Sequence, residues 1–337
     1  MPVKKTRYGS STVHFHLDGR FSMLKTIASG KKTFLITDEN VFAAHQKKFK
    51  AWPTIVIKAG EQYKVQSTAD DIIRQLIEHG ANRFSMLVGV GGGVVTDITG
   101  YVGAVYMRGI AVGFIPTTLL AMVDAAIGGK NGVDVGVYKN MAGTIRQPSF
   151  LLYDTSLLQT LPEQEWRNGF AEIIKHAAIK SPAMFAELQR NDLSKYRKNK
   201  KLLEVLVNRN MMIKSRLVQQ DEFEKGERKL LNFGHTLGHA LENQYHLSHG
   251  EAIAVGMVYA ATFSERILGF KKAAAIKNLL NQYGLPTELN FDRAKILHVL
   301  SRDKKKDLDR IHYVLLKKIG KAVTQPLSIS QIEDLFQ

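Results

Sequence analysis

The first half of the chain alternates between short apolar runs and segments with helical spacing. Residues 32–38, 54–60, 84–93 and 112–118 are apolar runs of strand length. Residues 67–80 have apolar positions three and four apart and end at a glycine, which is typical of an amphipathic helix. Strands that alternate with helices form βαβ units. The pattern therefore predicts an α/β domain with a Rossmann-like parallel sheet.

The second half has a different pattern. Beyond FLLYD at residues 150–154, apolar residues recur almost everywhere at helical spacing, as in EQEWRNGFAEIIKHAAIK and RKLLNFGHTLGHALENQ. Residues 310–322 are an exception and suggest a small hairpin. We expect an α/β domain over residues 1–155 and an all-α domain over residues 156–337. We also expect the active site in the interdomain cleft, because small ligands usually bind at such places.

Composition excludes several kinds of chemistry. The chain has 337 residues, of which 45% are hydrophobic, and none is cysteine. Disulfides, thiolate metal sites and cysteine nucleophiles are therefore excluded, and a cytoplasmic location fits this composition. The N-terminal residues have no apolar core of signal-peptide length, and no apolar run is long enough to span a bilayer. Any metal must be held by His, Asp or Glu.

The chain is strongly basic, with a formal net charge of +16. Such a charge favours an anionic partner, which can be nucleic acid, acidic lipid or an acidic metabolite. Lys and Arg are spread along the chain, with small clusters at residues 195–201 and 301–307. No nucleic-acid-binding sequence pattern accompanies the clusters. We therefore expect a small-molecule substrate and neither a nucleic acid nor a membrane.

A glycine-rich segment, GVGGGVVTD at residues 89–97, connects a predicted strand to a predicted helix. Glycines at such a turn let the backbone approach a pyrophosphate at the helix N-terminus. The spacing does not fit GxGxxG, because Val94 occupies the last position counted from Gly89. The segment is either a phosphate-binding loop of unusual spacing or a tight turn without a ligand. Asp38, at the end of an earlier strand, is suited to ribose hydroxyls.

Two histidines, His235 and His239, lie four residues apart in LLNFGHTLGHALE and therefore share a helix face. The glutamate of the HExxH motif is missing between them, which disfavours a metalloprotease. His249 follows at a predicted helix start, and GFAEIIKH provides Glu172 with Lys175 on the same helix. Two His and one Glu are typical of a catalytic zinc site. Spacing favours His235 and His239 as the ligand pair, and separate structural roles stay open.

Six segments together resemble the 3-dehydroquinate synthase family of sugar-phosphate cyclases. They are GGGVVTDITGYVGAVYMRG (91–109), PTTLLAMVDAAIGGKNGVDVGVYKNMAG (116–143), GFAEIIKH (169–176), DEFEKGERKLLNFGHTLGHALE (221–242), HGEAIAVGM (249–257) and RDKK (302–305). The resemblance covers nearly the whole chain. It implies a cytoplasmic homodimer that converts 3-deoxy-D-arabino-heptulosonate 7-phosphate to 3-dehydroquinate and phosphate, in aromatic amino-acid biosynthesis. It also implies NAD and a divalent metal, zinc or cobalt, as cofactors.

The resemblance implies roles for individual residues. It assigns the metal to Glu172, His235 and His249. The implied substrate-site residues are Lys214 and Arg228 at the carboxylate, Lys130, Asn140, Asn232, His239 and Lys304 or Lys305 at the phosphate, Lys175 near the reacting hydroxyls, Arg108 from the partner subunit, and Asp124 and Glu224 as orienting groups. The implied cofactor residues are Asp38, Asn40, Glu61, Lys64, Gly91, Gly92, Gly93, Asp97, Thr117, Thr118, Lys139 and Asp154. The acidic ones favour NAD over NADP.

Simpler roles compete at some of these positions. Asp97 could brace the helix after the glycines, and Glu61 with Lys64 could form a loop ion pair of little energetic value. The chain also departs from the usual family pattern at Asn131, where threonine is commoner, and at Asp134, where asparagine is commoner. Neither departure removes an implied ligand, cation or acid.

Two alternative enzymes share the expected features. One is another sugar-phosphate cyclase, whose substrate lacks a carboxylate. The other is a metal-dependent polyol or glycerol-phosphate dehydrogenase, which would release NADH. The presence of both Lys214 and Arg228 favours a substrate that carries a carboxylate.

Overall fold

A computed structural model of the chain describes residues 3–136, 138–301, 306–307 and 310–336. Lys304 and Lys305 lie outside the described residues. The strands are β1 (Val3–Tyr8), β2 (Ser11–His16), β3 (Thr33–Asp38), β4 (Thr54–Ile57), β5 (Met86–Gly91), β6 (Ala111–Pro116), β7 (Lys130–Val135), β8 (Tyr138–Ile145), β9 (Phe150–Leu152), β10 (Lys306–Asp307), β11 (Arg310–Lys318) and β12 (Lys321–Ser328). The α-helices are α1 (Leu24–Ile27), α2 (Glu39–Phe49), α3 (Gln66–Glu78), α4 (Gly93–Val105), α5 (Glu163–Lys180), α6 (Pro182–Gln189), α7 (Leu193–Lys198), α8 (Lys200–Gln220), α9 (His235–Tyr245), α10 (His249–Leu268), α11 (Ala273–Gln282), α12 (Arg293–Ser301) and α13 (Ile329–Phe336).

Contacts within the chain define two compact units. The first comprises residues 1–165 and 200–223, and the second comprises residues 166–199 and 224–337. Helix α8 is therefore grouped with the first unit, although the sequence places it beyond the expected boundary near residue 155. The division into domains over residues 1–155 and 156–337 stays a prediction.

The first unit contains a seven-stranded sheet in the order β1-β2-β9-β6-β5-β3-β4. Strands β1 and β2 form an antiparallel hairpin, and all other neighbouring strands of this sheet are parallel. The predicted parallel α/β fold is confirmed, and the four predicted strands correspond to β3, β4, β5 and β6. The hairpins β1–β2 and β7–β8 were not predicted, because their exposed polar and glycine positions weaken the strand pattern.

The central strands are apolar because helices cover both faces of the sheet. All six residues of β5 are buried. One apolar cluster contains Ile72 of α3 and Ile98 of α4, and a second contains Leu24 of α1 and Phe49 of α2. Burying each such side chain contributes about 1.5–3 kcal/mol. This burial on both faces explains why the strands read as continuous apolar runs.

The second unit is helical, as predicted, with one small antiparallel sheet in the order β10-β11-β12. Strands β11 and β12 pair from Arg310–Ser328 to Lys318–Lys321, which confirms the hairpin suggested at residues 310–322. Helix α10 is largely buried and includes the buried residues Ile253, Met257 and Phe263. Among the described residues, no helix combines the length and the apolar character needed to cross a membrane.

Candidate functional site

Glycines let the start of α9 pack closely against α10. Gly234 precedes α9 with a φ of 82°, a left-handed conformation that glycine adopts without steric cost. A Cβ on Gly256 of α10 would lie 2.0 Å from the carbonyl oxygen of Gly234, and a Cβ on Gly238 would lie 2.7 Å from Ile253 Cδ1. The two helices can therefore approach this closely only with glycine at these positions.

Asn168 joins α5 to the start of α10. This side chain is 4% exposed, and its Oδ1 accepts hydrogen bonds from the Gly250 N–H at 3.2 Å and from Ser248 Oγ at 2.8 Å. Ser248 and Glu251 form a capping box at the same helix end. Because Asn168 lies one helical turn before Glu172, these contacts set Glu172 beside His249. Asn168 was not predicted, because it follows Glu165 and Arg167 in a polar stretch that does not mark it as buried.

Glu172, His235 and His249 converge in the second unit. Their ligand atoms lie within 4.8 Å of one another. Glu172 Oε1 is 3.4 Å from His235 Nε2 and 3.3 Å from His249 Nε2. The Glu172 side chain is fully buried, whereas the His249 side chain is 28% exposed. This arrangement leaves an open side, as a catalytic metal site requires.

The protonation of His235 suits a metal ligand. Its Nδ1 lies 3.2 Å from the carbonyl oxygen of Phe233, and a carbonyl can only accept, so Nδ1 carries the proton. Burial and the charge of Lys175 lower the pKa of His235 well below its ordinary value. The Nε2 lone pair therefore faces a carboxylate oxygen of Glu172. Two acceptors that face each other this closely fit a cation between them.

Glu242 contacts His249, the third candidate ligand, and was not predicted. Its Oε2 lies 3.4 Å from His249 Nδ1, on the opposite side of the ring from Glu172. Burial lowers the pKa of His249, but hydrogen bonds with Glu172 and Glu242 outweigh this effect and raise it to about 9. A divalent cation would replace the proton on Nε2. A carboxylate behind a histidine ligand is a common feature of metal sites.

His239 lies next to this cluster. Its ring centroid is 5.1 Å from that of His235 and 6.2 Å from that of His249. His239, Glu242 and His249 also have ligand atoms within 4.8 Å of one another, but no such set among the described residues contains both His235 and His239. The geometry therefore favours Glu172, His235 and His249 over the pair that spacing suggested.

Other predicted residues of the second unit lie in or beside the same helices. Lys175 of α5 is 1% exposed and forms an ion pair with Glu172 Oε2. Arg228 is 2% exposed and lies in the 3-10 segment Glu227–Asn232. At the end of that segment, Asn232 Nδ2 donates to Glu224 Oε1 at 2.5 Å. Glu224 therefore orients the Asn232 amide, which agrees with an orienting role.

The remaining predicted substrate residues that the structure describes belong to the first unit. Lys214 of α8 is 7% exposed, and its Nζ lies 2.8 Å from Asp124 Oδ2 and donates to the Asp124 carbonyl oxygen at 2.9 Å. Lys130 is exposed at the start of β7. Arg108 is exposed and has a φ of 63°, in the left-handed region that non-glycine residues rarely adopt.

The glycine segment lies at the switch point of the sheet. The chain passes from β3 to β4 on one side and from β5 to β6 on the other, so the carboxyl ends of β3 and β5 flank the place where nucleotides bind in such sheets. A Cβ on Gly91 would lie 2.5 Å from Val95, and one on Gly92 would lie 2.9 Å from Thr118. Helix α4 begins at Gly93, which favours an anion at its N-terminus.

Several predicted cofactor residues surround this switch point. Thr117 is 3% exposed, and its buried hydroxyl has no hydrogen-bond partner among the described residues. Asp38 ends β3 and caps α2, because its side chain accepts the Val41 N–H at 2.9 Å. Burial raises the pKa of Asp38. Asn40 and Glu61 are exposed. The unpartnered Thr117 hydroxyl and the crowded glycines fit a bound dinucleotide.

Asp154 has a structural role that competes with cofactor binding. Its carboxylate accepts hydrogen bonds from the Phe21 N–H at 2.9 Å, the Ser156 N–H at 3.1 Å and Ser156 Oγ at 2.6 Å. It therefore caps the 3-10 segment that begins at Thr155.

Lys64 is buried and not part of a loop ion pair. It is 4% exposed, and its Nζ donates to Asp97 Oδ2 at 2.5 Å and to Asn140 Oδ1 at 2.7 Å. Burial lowers the pKa of Lys64, but Asp97 and the more distant Glu61 outweigh this effect and raise it. Asp97 therefore joins α4 to the β7–β8 hairpin, which also carries the half-buried Lys139.

Both departures from the usual family pattern have hydrogen-bonding roles in this hairpin. Asn131 is 7% exposed, and its Nδ2 donates to the carbonyl oxygens of Gly129 at 2.7 Å and Arg146 at 3.0 Å. Asp134 Oδ1 accepts the Asn140 N–H at 2.6 Å. Asn131 thus stabilises the base of the hairpin with two donated bonds, which a threonine hydroxyl cannot make together because it has a single donor hydrogen.

Comparisons with known proteins cover nearly the whole chain. A family model described as 3-dehydroquinate synthase N-terminal matches residues 54–168, and one described as 3-dehydroquinate synthase C-terminal matches residues 169–306. A 3-dehydroquinate synthase of Thermodesulfovibrio yellowstonii is 41% identical over 312 residues, which cover 90% of this chain and 87% of that protein.

Solved structures of related cyclases superimpose on the chain. A 2-deoxy-scyllo-inosose synthase complexed with carbaglucose-6-phosphate, NAD+ and Co2+ is 27% identical, with a TM-score of 0.87 and 99% of both chains covered. ValA, the 2-epi-5-epi-valiolone synthase of Streptomyces hygroscopicus with NAD+ and Zn2+ bound, is 25% identical, with a TM-score of 0.87, 100% of this chain and 98% of that chain covered. Since the two family models match most of its residues and a relative is 41% identical over 90% of its length, the chain belongs to the 3-dehydroquinate synthase family.

Proposed function

We propose that this chain is a lyase that converts 3-deoxy-D-arabino-heptulosonate 7-phosphate to 3-dehydroquinate and phosphate. The reaction comprises oxidation, phosphate elimination, re-reduction and intramolecular aldol closure. Its cofactors are NAD and a divalent cation, zinc or cobalt, and it takes place in the cytoplasm. The observation that carries the proposal is the convergence of Glu172, His235 and His249, with the His235 lone pair facing a buried carboxylate.

The metal would be held by one carboxylate and two neutral imidazoles, which leaves it a net positive charge. Bound NAD would supply a reversible hydride acceptor, and the bound cation would supply positive charge to stabilise negative charge on substrate hydroxyl oxygens. Lys175 keeps the second oxygen of Glu172 engaged. It also provides an ammonium donor beside the hydroxyls that react.

Separate groups of cations would bind the two anionic ends of the substrate. Lys214 and Arg228 would bind the carboxylate, and both are buried, where charge-assisted hydrogen bonds are strong. Lys130, Asn140, Asn232, His239 and one lysine of residues 304–305 would bind the phosphate and stabilise it as it leaves. Asp124 and Glu224 hold Lys214 and Asn232 in fixed orientations.

The cofactor would lie across the carboxyl ends of β3 and β5. Gly91, Gly92 and Gly93 would contact the pyrophosphate, Thr117 and Thr118 would donate hydroxyls, and Asp38 would accept from the ribose. Because Asp38 is acidic, it would repel the 2′-phosphate of NADP. Asn40, Glu61, Lys64, Asp97, Lys139 and Asp154 complete the proposed set.

A metal-loaded incubation tests the reaction. Protein with zinc or cobalt, NAD and the heptulosonate phosphate should release phosphate without lasting absorbance from NADH, and a chelator should stop the release. Sedoheptulose 7-phosphate and glucose 6-phosphate, which lack the carboxylate, serve as comparison substrates. NADH that accumulates in proportion to product would support a dehydrogenase. Faster turnover of a comparison substrate would support another cyclase.

We also propose a homodimer in which Arg108 acts in the partner's site. Apolar side chains next to Arg108 are unusually exposed, with Val105 at 42% and Met107 at 51%. Strand β8 of the same unit adds Tyr138 at 64% and Ile145 at 40%. Val105 and Met107 lie near Arg108 in sequence, and clustered exposed apolar side chains are typical of protein interfaces.

Mixing two inactive variants tests the shared arginine. Arg108→Ala and His235→Ala are inactive alone if both residues are needed. If Arg108 acts in trans, a mixed dimer contains one complete site, and an equimolar mixture recovers about a quarter of wild-type activity by random pairing. No recovery, in a mixture shown to exchange subunits, would place Arg108 in its own subunit's site or outside the site.

A further inference from the structure

A closed ring of hydrogen bonds surrounds Asn140 in the first unit. The Asp134 N–H donates to the Lys64 carbonyl oxygen at 2.7 Å, and the Asn140 N–H donates to Asp134 Oδ1 at 2.6 Å. Lys64 Nζ donates to Asn140 Oδ1 at 2.7 Å and so closes the ring. The ring therefore fixes both the main chain and the side chain of Asn140.

The main chain of Asn140 needs such support. Its φ is 54°, a left-handed conformation that costs a residue with a side chain on the order of 1 kcal/mol. Asparagine tolerates this region better than most residues, but such a conformation persists only where the surroundings hold it. The Asp134 carboxylate accepts the N–H whose direction depends on this φ, and a charged acceptor makes the bond strong.

The Lys64 contact determines which way the Asn140 amide faces. An ammonium can only donate, so the atom 2.7 Å from Lys64 Nζ is the amide oxygen. The amide nitrogen must then face away from Lys64. Asn140 is exposed, whereas Lys64 is 4% exposed and is also held by Asp97. The ring thus leaves a fixed N–H2 group directed away from the buried lysine, which suits an anionic oxygen.

We propose that Asp134 is a positioning residue that presents the Asn140 amide as a hydrogen-bond donor to the substrate phosphate. The identity of the phosphate ester rests on the proposed function, whereas the ring itself does not. The usual family pattern has asparagine at position 134. An asparagine oxygen also accepts the Asn140 N–H but carries no charge, so the aspartate of this chain holds the turn more firmly.

Three single variants test the proposal with inorganic phosphate and the heptulosonate phosphate. Asp134→Ala should weaken binding of inorganic phosphate, and raise the KM for the heptulosonate phosphate, about ten-fold. Asp134→Asn, which keeps an acceptor oxygen, should fall between Asp134→Ala and wild type. Asp71→Ala is the control, because Asp71 is an exposed carboxylate that pairs with Arg74 on α3. It should match wild type in both measurements.

A double variant separates positioning from a general structural effect. Asn140→Gly removes the amide and makes the left-handed turn easy, so Asp134→Ala should have no further effect on phosphate affinity in that background. Hydrogen–deuterium exchange of the Asn140 N–H should speed up in Asp134→Ala and stay unchanged in Asp71→Ala.

Unchanged phosphate affinity or unchanged exchange in Asp134→Ala would overturn the proposal, and so would additive losses in the double variant. If wild-type protein fails to convert the heptulosonate phosphate, the proposed function fails. The inorganic phosphate titration and the exchange measurement would then still decide the role of Asp134.

Discussion

At the residue scale, the candidate metal site is defined by what each atom can donate or accept. His235 Nδ1 is tied to a carbonyl oxygen, which leaves Nε2 as an acceptor toward the Glu172 carboxylate. His239, one turn along the same helix, groups with Glu242 and His249 rather than with Glu172. Identical residue types at neighbouring helical positions are thus given different chemistry by their surroundings.

This difference predicts opposite outcomes for the two histidines. His235→Ala should lose bound metal, because one of three ligands is removed. His239→Ala should keep the metal but lower kcat/KM about 10–100-fold, as expected when a charge-assisted hydrogen bond to phosphate is lost. Metal content by mass spectrometry and steady-state kinetics measure both effects. Metal loss in His239→Ala would instead support His235 and His239 as the ligand pair, as their spacing suggested.

Glu242 provides a second prediction at this scale. Glu242→Gln should weaken metal binding about 10–100-fold, because the carboxylate orients His249 from behind. Competition with a chelating dye measures the affinity, and the visible spectrum of the cobalt form reports the ligand geometry. Glu265→Gln removes the charge of an exposed carboxylate on α10, the helix that begins at His249, and should leave both unchanged. Equal affinities in the two variants would show that Glu242 does not orient His249.

At the element scale, the site depends on how closely helices approach. Helices α9 and α10 meet through Gly234, Gly238 and Gly256, and Asn168 ties α5 to the start of α10. The glycine before each histidine of FGHTLGHALE therefore serves helix packing. Histidines from the first turns of α9 and α10 can then reach a carboxylate of α5.

Gly256→Ala should damage both the packing and the site, since the added Cβ would lie 2.0 Å from the Gly234 carbonyl oxygen. We expect a loss of about 1–3 kcal/mol in the free energy of unfolding, together with weaker metal binding. Gly269→Ala is the matched control, because Gly269 ends the same helix with a φ of 67° and open space around it. That variant should lose about 1 kcal/mol from backbone strain and keep its metal affinity. If both variants bind metal equally well, close approach of the helices is not what forms the site.

At the scale of the whole molecule, buried positive charge marks the proposed site. The buried Lys and Arg residues of the described chain are Lys64, Lys175, Lys214 and Arg228, and all four were implied by the family resemblance. The three lysines pair with Asp97, Glu172 and Asp124. Burying an ammonium is costly unless it is paired, and these carboxylates offset that cost for the three lysines. The net charge of +16 lies mostly elsewhere, on exposed side chains.

Metal removal should change the stability of the whole protein. A ligand that binds only the folded state stabilises it by about 2.7 kcal/mol at a concentration of 100 Kd. Zinc should therefore raise Tm relative to chelator-treated protein, as measured by calorimetry. His235→Ala should show little zinc-dependent change. A Tm that is the same with zinc and with chelator would contradict a metal site in the folded chain.

Local sequence patterns were enough to predict most strands and helices and the residue types that could bind a metal. Apolar runs predicted β3 to β6, because strands covered on both faces keep nearly continuous apolar sequence. The absence of cysteine limited metal ligands to His, Asp and Glu, and the order of six motifs indicated the family. Hairpins β1–β2 and β7–β8 escaped prediction because they keep exposed faces with polar or glycine residues.

By itself, the sequence determined the alternation of strands and helices, the permitted ligand types and the candidate residues, because these follow from periodicity and composition. Only the tertiary structure decided which candidates meet. His235 and His239 are equivalent in spacing, and the approach of α5, α9 and α10 distinguishes them. Asn168 and Asp134 gain their roles from partners that are distant in sequence, and Glu242 gains its role from His249, at the start of the next helix. Such contacts depend on packing between separate elements, which no local pattern encodes.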